Sequence, residues 1–212
     1  MAKLLRDRKP DAQILFVGAV DGMEADLVPR EGFRLETLTV ASYCANLLSA
    51  LRHNVRTAFE IRRALRRADE IIREFQPDVI LGTGGYASFP MLKQGTKRHI
   101  PTAVHESNAV PGLATRMVAD RVDKILVSFE ECRGAYRHPE RVEVVGMPVQ
   151  EEFLYTRRED ARRTLGLDDR PLIVSAWGSL GAREMNKKLA DFMRLECQES
   201  GTGTSMPPVP TD

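Results

Sequence analysis

Three short segments of the 212-residue sequence carry residues whose types and spacing could serve chemistry. The first is a glycine-rich turn, Gly82–Pro90, which directly follows the apolar run Val79–Leu81. Glycines at a strand-to-helix turn let the backbone approach a ligand, while successive amides and the helix N-terminus point at an anion. The turn therefore predicts a phosphate or diphosphate site, although a tight turn that needs positive φ angles explains the glycines equally well. No Lys-Ser or Lys-Thr pair follows, which excludes a nucleoside-triphosphate loop.

The second segment begins with His105 and Glu106, directly after the apolar run Thr102–Val104. The carboxyl ends of strands form the ligand crevice of an open parallel sheet, so we expect both side chains beside the glycine turn. A lone histidine is usually structural, but a histidine, a carboxylate and the amide of Asn108 within four positions favour a site. Glu106 could orient a sugar hydroxyl or His105, and Asn108 supplies both a donor and an acceptor.

The third segment is the glycine turn Gly178–Ala182, which follows another apolar run and opens a predicted helix. Its backbone amides and the Ser179 hydroxyl could hold a diphosphate. A helix capped by Ser179 is the alternative explanation. The earlier turn Gly18–Gly22 lacks the third glycine of a dinucleotide fingerprint and predicts a turn only.

These segments need elements to position them, and the apolar pattern predicts a doubly wound parallel sheet in an α/β fold. Seven short apolar runs alternate with helical periodicity: Ile14–Val17, Phe33–Val40, Val79–Leu81, Thr102–Val104, Lys124–Val127, Val142–Val145 and Leu172–Ser175. The longest predicted helix has one apolar stripe and ends before Pro77. That stripe consists of Ala58, Ile61, Leu65, Ala68, Ile72 and Phe75. Further helices are predicted at Ala2–Arg8, Arg158–Leu165 and Ala182–Phe192.

Composition limits the possible functions. Lys and Arg number 31 against 30 Asp and Glu, which excludes bulk electrostatic capture of nucleic acid. Cys44, Cys132 and Cys197 are widely separated and indicate neither a zinc site nor a disulfide framework, so a reducing cytoplasm is the natural compartment. No apolar run approaches the roughly 20 residues of a membrane-spanning helix, so any membrane contact is expected to be peripheral.

One segment could make such a contact. Seven arginines between Arg52 and Arg73 outnumber three acidic residues, and four apolar residues precede them: Tyr43, Leu47, Leu48 and Leu51. Apolar residues beside a basic face can lie on an anionic membrane surface. A solvated helix face with internal ion pairs is the alternative, and the sequence alone favours it.

Five motifs in this order closely resemble the MurG family of bacterial glycosyltransferases: Gly22–Gly32, Pro77–Tyr86, His105–Leu113, Gly146–Val149 and Gly178–Ala182. The resemblance implies a GT-B fold, in which two Rossmann-like domains face each other across a cleft. It also implies an inverting transfer of N-acetylglucosamine that needs neither a metal nor another cofactor. The donor would be UDP-N-acetylglucosamine and the acceptor undecaprenyl-diphosphate-linked muramoyl-pentapeptide. This step of peptidoglycan synthesis takes place at the cytoplasmic face of the cell membrane.

The resemblance also implies roles for individual residues. His105 and Glu106 would line the cleft as catalytic candidates. Asn108 matches a position that contacts the donor. The remaining substrate-binding candidates would contact the acceptor diphosphate and sugar (Thr83, Gly84, Gly85, Tyr86) or the donor diphosphate (Gln150, Gly178, Ser179, Gly181).

The sequence departs from the family pattern in several places. Family members begin with a central strand and a glycine-rich loop with a histidine, upstream of where this sequence starts, so we expect two strands to lack their partner. Met147 and Gln150 replace the usual Asn and Arg, and Trp177 replaces a Gly. We therefore expect an acceptor-binding domain at 1–148, an incomplete donor-binding domain at 149–198 and a disordered tail at 199–212.

Three functional hypotheses remain at this point. The first is a transferase sequence, truncated at both ends, that alone transfers little or no sugar. The second is a non-catalytic half that binds acceptor and membrane and needs a separate donor-binding polypeptide. The third, a UDP-N-acetylglucosamine 2-epimerase, is less favoured because the Gly-Gly-Tyr and His-Glu-Ser-Asn motifs indicate the transferase.

Overall fold

The computed structural model describes residues 1–40, 55–149, 152–170, 172, 174 and 183–199. The chain divides into two compact units, Met1–Glu151 and Glu152–Asp212. Several sequence predictions lie outside the described residues. They concern the apolar residues Tyr43, Leu47, Leu48 and Leu51, the positions Gln150, Trp177, Gly178, Ser179 and Gly181, the residues Ile173 and Ser175 of the run Leu172–Ser175, and the tail after Glu199.

The first unit alternates strands and helices as the apolar pattern predicted. Its strands are β1 (Leu15–Ala19), β2 (Arg34–Leu38), β3 (Ile80–Gly82), β4 (Thr102–Glu106), β5 (Lys124–Val127) and β6 (Val142–Val144). Its helices are α1 (Ala2–Arg8), α2 (Glu24–Arg30), α3 (Val55–Phe75), α4 (Ser88–Lys97) and α5 (Leu113–Ala119), with 3-10 turns at Glu130–Ala135 and Pro139–Arg141. Every strand pair is parallel. The predicted doubly wound pattern is therefore confirmed in this unit.

The core forms because the apolar strands are covered by the apolar faces of the helices. Leu92 of α4, Val104 of β4 and Ile125 of β5 are fully buried. The buried face of α3 includes Ala68 and Ile72 of the predicted stripe, together with Ala64 and Ile71. Helix α4 lies close to the sheet because Gly95 has no side chain: a Cβ there would lie 2.7 Å from the Ile80 Cδ1 atom.

The strands form two sheets rather than one. Strands β1 and β2 form the first, and the second has the order β3-β4-β5-β6. Both sheets contribute to the same core, because Leu38 of β2 belongs to the same buried cluster as Ile80 of β3. Leu81 of β3 remains 43% exposed. Among the described residues, β1 and β2 are the edge strands of the first sheet, and β3 and β6 are those of the second. That two strands lack their partner stays a prediction.

The register of the second sheet brings the strand ends together. Gly82 lies opposite Val104, Glu106 opposite Val127, and Val127 opposite Val144. The segments that follow β3, β4, β5 and β6 therefore leave the sheet at one edge. This is the edge where ligands bind in open parallel sheets.

The second unit contributes three described helices. They are α6 (Glu152–Tyr155), α7 (Arg158–Thr164) and α8 (Arg183–Glu199). The predicted helix at Arg158–Leu165 is confirmed, and the one predicted at Ala182–Phe192 is confirmed but runs to Glu199. Among the helices in the described ranges, none combines the length and the apolar character needed to cross a membrane.

Candidate functional site

The glycine-rich turn after β3 has the backbone that its sequence suggests. Gly84 and Gly85 have φ angles of +82° and +74°, which L side chains rarely adopt. The Ser88 hydroxyl donates a hydrogen bond to the Gly84 carbonyl and so closes the turn at the start of α4. A Cβ at Gly85 would have no atom within 4 Å, so open space borders this turn. The turn thus needs positive φ angles and also leaves room for a ligand. A tight turn and a phosphate site therefore both still explain the glycines.

The structure places the turn next to the end of β4. A Cβ at Gly84 would lie 4.0 Å from the backbone oxygen of His105. Thr83 and Tyr86 are exposed in the same turn. The residues predicted from two separate motifs, 83–86 and 105–108, therefore lie at one edge of the sheet.

Glu106 is a buried carboxylate whose oxygens are occupied by hydrogen bonds from the following loop. Only 3% of its surface is exposed. Oε1 accepts hydrogen bonds from the backbone nitrogen of Asn108 (3.0 Å) and from Asn108 Nδ2 (2.8 Å), and Oε2 accepts one from the backbone nitrogen of Gly112 (2.9 Å). The Thr115 side chain also donates to this carboxylate.

These bonds determine the charge of Glu106. Burial raises the pKa of the carboxyl group, but the hydrogen bonds from Asn108, Gly112 and Thr115 outweigh it and hold the pKa below its usual range. Glu106 is therefore ionised at neutral pH. An ionised carboxylate can orient a donor or stabilise positive charge, and as a base it is weakened by the donors it already holds.

His105 is also buried, with 4% of its surface exposed, and it points at the segment after β6. Its Nε2 atom lies 3.1 Å from the Gly146 carbonyl oxygen and 3.5 Å from the Ser128 hydroxyl. A carbonyl oxygen only accepts, so Nε2 carries the hydrogen of this bond. His105 thereby links β4 to Gly146, which lies just after β6. Gly146 has a φ angle of +75°. The catalytic role predicted for His105 and Glu106 stays a prediction.

Two residues near the site were not predicted. The Cys132 thiol is fully buried, and its single hydrogen is shared between the carbonyl oxygens of Asn108 (Sγ–O 2.9 Å) and Ala109 (3.1 Å). Burial raises the pKa of this thiol and so keeps it protonated. The buried Tyr136 hydroxyl has no hydrogen-bond partner among the described residues, and burial raises its pKa. No local motif marks these two positions, because only the fold brings Cys132 and Tyr136 close to Glu106 and the loop that follows it.

A separate basic groove lies away from these loops. Its volume is about 570 Å³, and none of its lining residues belongs to the segments 82–86 or 105–112. Four cationic residues line it together with a single acidic one, Asp120: they are Lys93, Lys97, Arg121 and Arg141. Within the described ranges, no group of three or more His, Cys, Asp or Glu side chains could hold a metal ion.

The sequence of the first unit matches a known domain. Residues 1–127 match the glycosyltransferase family 28 N-terminal domain. The chain belongs to this glycosyltransferase family. The family resemblance predicted from the motifs is thereby confirmed.

Two curated relatives show how known proteins compare with this chain. A Thermoanaerobacter sp. (strain X514) protein is 40% identical over 196 residues, covering 92% of this chain and 53% of the relative. An Acetivibrio thermocellus protein is 36% identical over 202 residues, covering 95% and 54%. Both are named UDP-N-acetylglucosamine–N-acetylmuramyl-(pentapeptide) pyrophosphoryl-undecaprenol N-acetylglucosamine transferase. This family 28 chain thus spans about half the length of the curated relatives it matches.

A solved structure confirms the fold of this family 28 chain. The crystal structure of MurG from Acinetobacter baumannii superposes with a TM-score of 0.56 at 19% sequence identity, covering 71% of this chain and 40% of that chain. The likeness shows the fold alone. It confirms the predicted Rossmann-like α/β fold of GT-B type.

Proposed function

We propose that this protein serves the transfer of N-acetylglucosamine from UDP-N-acetylglucosamine to undecaprenyl-diphosphate-linked muramoyl-pentapeptide, a step of peptidoglycan synthesis. The observation that carries the proposal is the 40% identity, over 92% of this chain, to a relative named for that reaction. The acceptor hydroxyl gives its proton to a base and attacks the anomeric carbon of the donor sugar, and UDP leaves with the electrons of the broken bond. Such a step requires two substrates held in line and a stabilised diphosphate.

The geometry at the sheet edge supports an acceptor site. The positive φ angles of Gly84 and Gly85, with open space beside Gly85, suit a backbone that approaches a diphosphate. Thr83 and Tyr86 are exposed beside it and can contact the sugar. Asn108 and the residues of the third motif, Gly178, Ser179 and Gly181, stay predicted donor contacts, as does Gln150.

The acceptor site can be tested with two matched glycine variants. Gly85→Ala and Gly32→Ala impose the same backbone strain, because φ is +74° and +73° and a Cβ has no atom within 4 Å at either position. Only Gly85 lies in the proposed site. We expect Gly85→Ala to weaken binding of a soluble lipid-diphosphate acceptor analogue several-fold more than Gly32→Ala does. Equal affinities in the two variants would refute the acceptor site.

Catalysis by the purified 212-residue chain is a second measurement. We expect little or no transfer from radiolabelled UDP-N-acetylglucosamine, because the chain spans about half of its relatives. Robust turnover by the chain alone would contradict this expectation. Conversion of UDP-N-acetylglucosamine to its 2-epimer, without acceptor, would instead support the epimerase alternative.

The second candidate function is an acceptor-binding half that works with a separate donor-binding polypeptide. The match of residues 1–127 to an N-terminal domain supports a role of this part of the chain in acceptor binding. The discriminating assay adds a separately produced donor-binding domain of a relative to this chain. Transfer that appears only in the mixture would support the split arrangement, and its absence at saturating concentrations would argue against it.

We also propose a peripheral position at the cytoplasmic face of the cell membrane. Arg62, Arg63 and Arg66 are exposed on α3, and the basic groove adds further cations. Each Lys or Arg near an anionic bilayer contributes about 1 kcal/mol. Flotation with anionic vesicles tests this: changing these three arginines to Gln should reduce binding, and zwitterionic vesicles should capture neither form.

A control variant with the same charge change separates local contact from net charge. Arg157, Arg158 and Arg163 are exposed in the other unit and serve for the same change to Gln. If both triple variants lose binding equally, the α3 surface is not the contact. The complementary test changes the apolar residues Leu47, Leu48 and Leu51 to Ser. Unchanged flotation would favour the alternative that this segment is a solvated helix face.

A further inference from the structure

The loop Ser107–Gly112, between β4 and α5, is held by hydrogen bonds from two sides. We propose that Glu106 and Cys132 are positioning residues that fix Asn108 in one orientation. In that orientation the Asn108 side-chain carbonyl oxygen is the acceptor offered to a ligand at the sheet edge. The identity of the ligand, a sugar with hydroxyl or amide N–H donors, rests on the proposed function, but the positioning itself does not.

The first side of the loop is bonded to Glu106. Asn108 Nδ2 lies 2.8 Å from Glu106 Oε1, and the pair is partly buried. An ionised carboxylate has no hydrogen to donate, so the amide must present its NH₂ group to Glu106. The usual ambiguity between the two ends of an Asn amide is thereby removed by chemistry.

The second side is bonded to Cys132. Its thiol lies 2.9 Å from the Asn108 carbonyl oxygen and 3.1 Å from that of Ala109. Both acceptors are main-chain atoms, so the bonds fix the backbone of the residue whose side chain Glu106 orients. Pro111 is buried in the same loop and limits its backbone further.

Together these contacts leave a defined set of free groups on Asn108. The residue is exposed, and its backbone N–H, its backbone carbonyl and one Nδ2 hydrogen are occupied. Among the described residues, no group bonds to its side-chain oxygen or to the second Nδ2 hydrogen. The hydrogen bond that the amide NH₂ donates to the charged Glu106 polarises the amide. The side-chain oxygen becomes a better acceptor as a result.

Amide hydrogen exchange of the ¹⁵N-labelled 212-residue chain tests the positioning without any ligand. The Asn108 NH₂ signals are identified by their loss in Asn108→Ala. We expect the Nδ2 hydrogen that bonds Glu106 to exchange at least about tenfold more slowly than an exposed Asn amide, since a bond to a charged group has that strength. Glu106→Gln, which removes the charge, should reduce this protection, and Glu159→Gln, at an exposed carboxylate of α7, should leave it unchanged.

Reference amides exclude a general loss of stability. The backbone amides of Val104 and Ile125 report the central strands β4 and β5. If Glu106→Gln accelerates these amides as much as the Asn108 NH₂ group, or leaves the Asn108 group unchanged, the proposal is wrong. An effect confined to Asn108 and the loop supports it.

The thiol is tested by a conservative rescue. Cys132→Ala removes the donor, whereas Cys132→Ser retains a hydroxyl that can bond the same carbonyls. We expect faster exchange of the Asn108 backbone amide in Cys132→Ala and recovery toward the wild-type rate in Cys132→Ser. Equal rates in the two variants would overturn the role of Cys132. Because no ligand is present, failure here leaves the proposed transfer reaction untouched, and absence of transfer leaves these rates unchanged.

Discussion

The glycine at the end of β3 should be needed for packing, and the glycines after it for backbone conformation. A methyl group at Gly82 would lie 2.6 Å from Leu92 Cδ1 and 3.2 Å from the Ser88 Cβ atom. Leu92 is fully buried, so it cannot move without disturbing the core. Overpacking of this kind costs about 1–3 kcal/mol, which is the destabilisation that we expect for Gly82→Ala.

Two other glycines separate the possible causes. Gly85→Ala meets no atom within 4 Å but must adopt φ +74°, so it should lose about 1–2 kcal/mol through backbone strain alone. Gly134→Ala has neither problem, because its Cβ also has free space and its φ is not positive. Its free energy of unfolding should stay within about 0.5 kcal/mol of wild type. The assay is urea unfolding followed by circular dichroism.

A double-mutant cycle identifies the contact itself. Leu92→Ala alone should cost about 2–5 kcal/mol, because it leaves a cavity in the core. In the double variant the new methyl group at position 82 occupies part of that cavity. The losses of unfolding free energy in the two single variants should then sum to at least about 1 kcal/mol more than the loss measured for the double variant. Losses that add within about 0.5 kcal/mol would show that position 82 does not pack against Leu92.

Three further perturbations test the structure. Tyr136→Phe removes a buried hydroxyl with no partner among the described residues, so the melting temperature should stay the same or rise, and a clear fall would reveal a missing partner. The hydrogen bond from Arg98 lowers the pKa of Asp69, so the stability it adds is present above the ordinary Asp pKa and is lost as the pH falls through the folded pKa. The urea midpoints of wild type and Asp69→Asn should therefore converge on acidification, and a constant difference would contradict the ion pair. Finally, with the other two cysteines changed to Ser, Cys132 should react with a thiol reagent only as urea unfolds the chain; rapid reaction of the native protein would disprove its burial.

The order of strands and helices in the first unit was predictable because strands that are buried on both faces consist of continuous apolar runs in the sequence. The apolar runs at Lys124–Val127 and Thr102–Val104 begin at the same residues as β5 and β4. The helix stripe was predicted less completely. Ala64 and Ile71 are buried beside Ala68 and Ile72, because α3 packs against both α4 and β2 and therefore buries a wider face than one stripe.

The chemistry of the site was predictable only in its location. Strand-end motifs placed His105 and Glu106 at the correct edge, since parallel strands align their carboxyl ends. Their hydrogen bonds were not predictable, because the donors to Glu106 come from the path of the loop through Asn108 and Gly112. The bond from Cys132 joins residues 24 positions apart, and no local pattern encodes it.

The division of the sheet has a consequence for how the protein opens. Among the described residues, the two sheets are joined to each other by side-chain packing in one core, and no ladder of backbone hydrogen bonds connects them. Backbone ladders carry much of the cooperativity of a sheet, so this boundary is where local unfolding should begin. The backbone amides of β1, β2 and α2 should exchange as one group, with a lower free energy of opening than the amides of the four-stranded sheet. Any process that captures partly open chains, such as proteolysis or edge-to-edge association, would then act first on this smaller group.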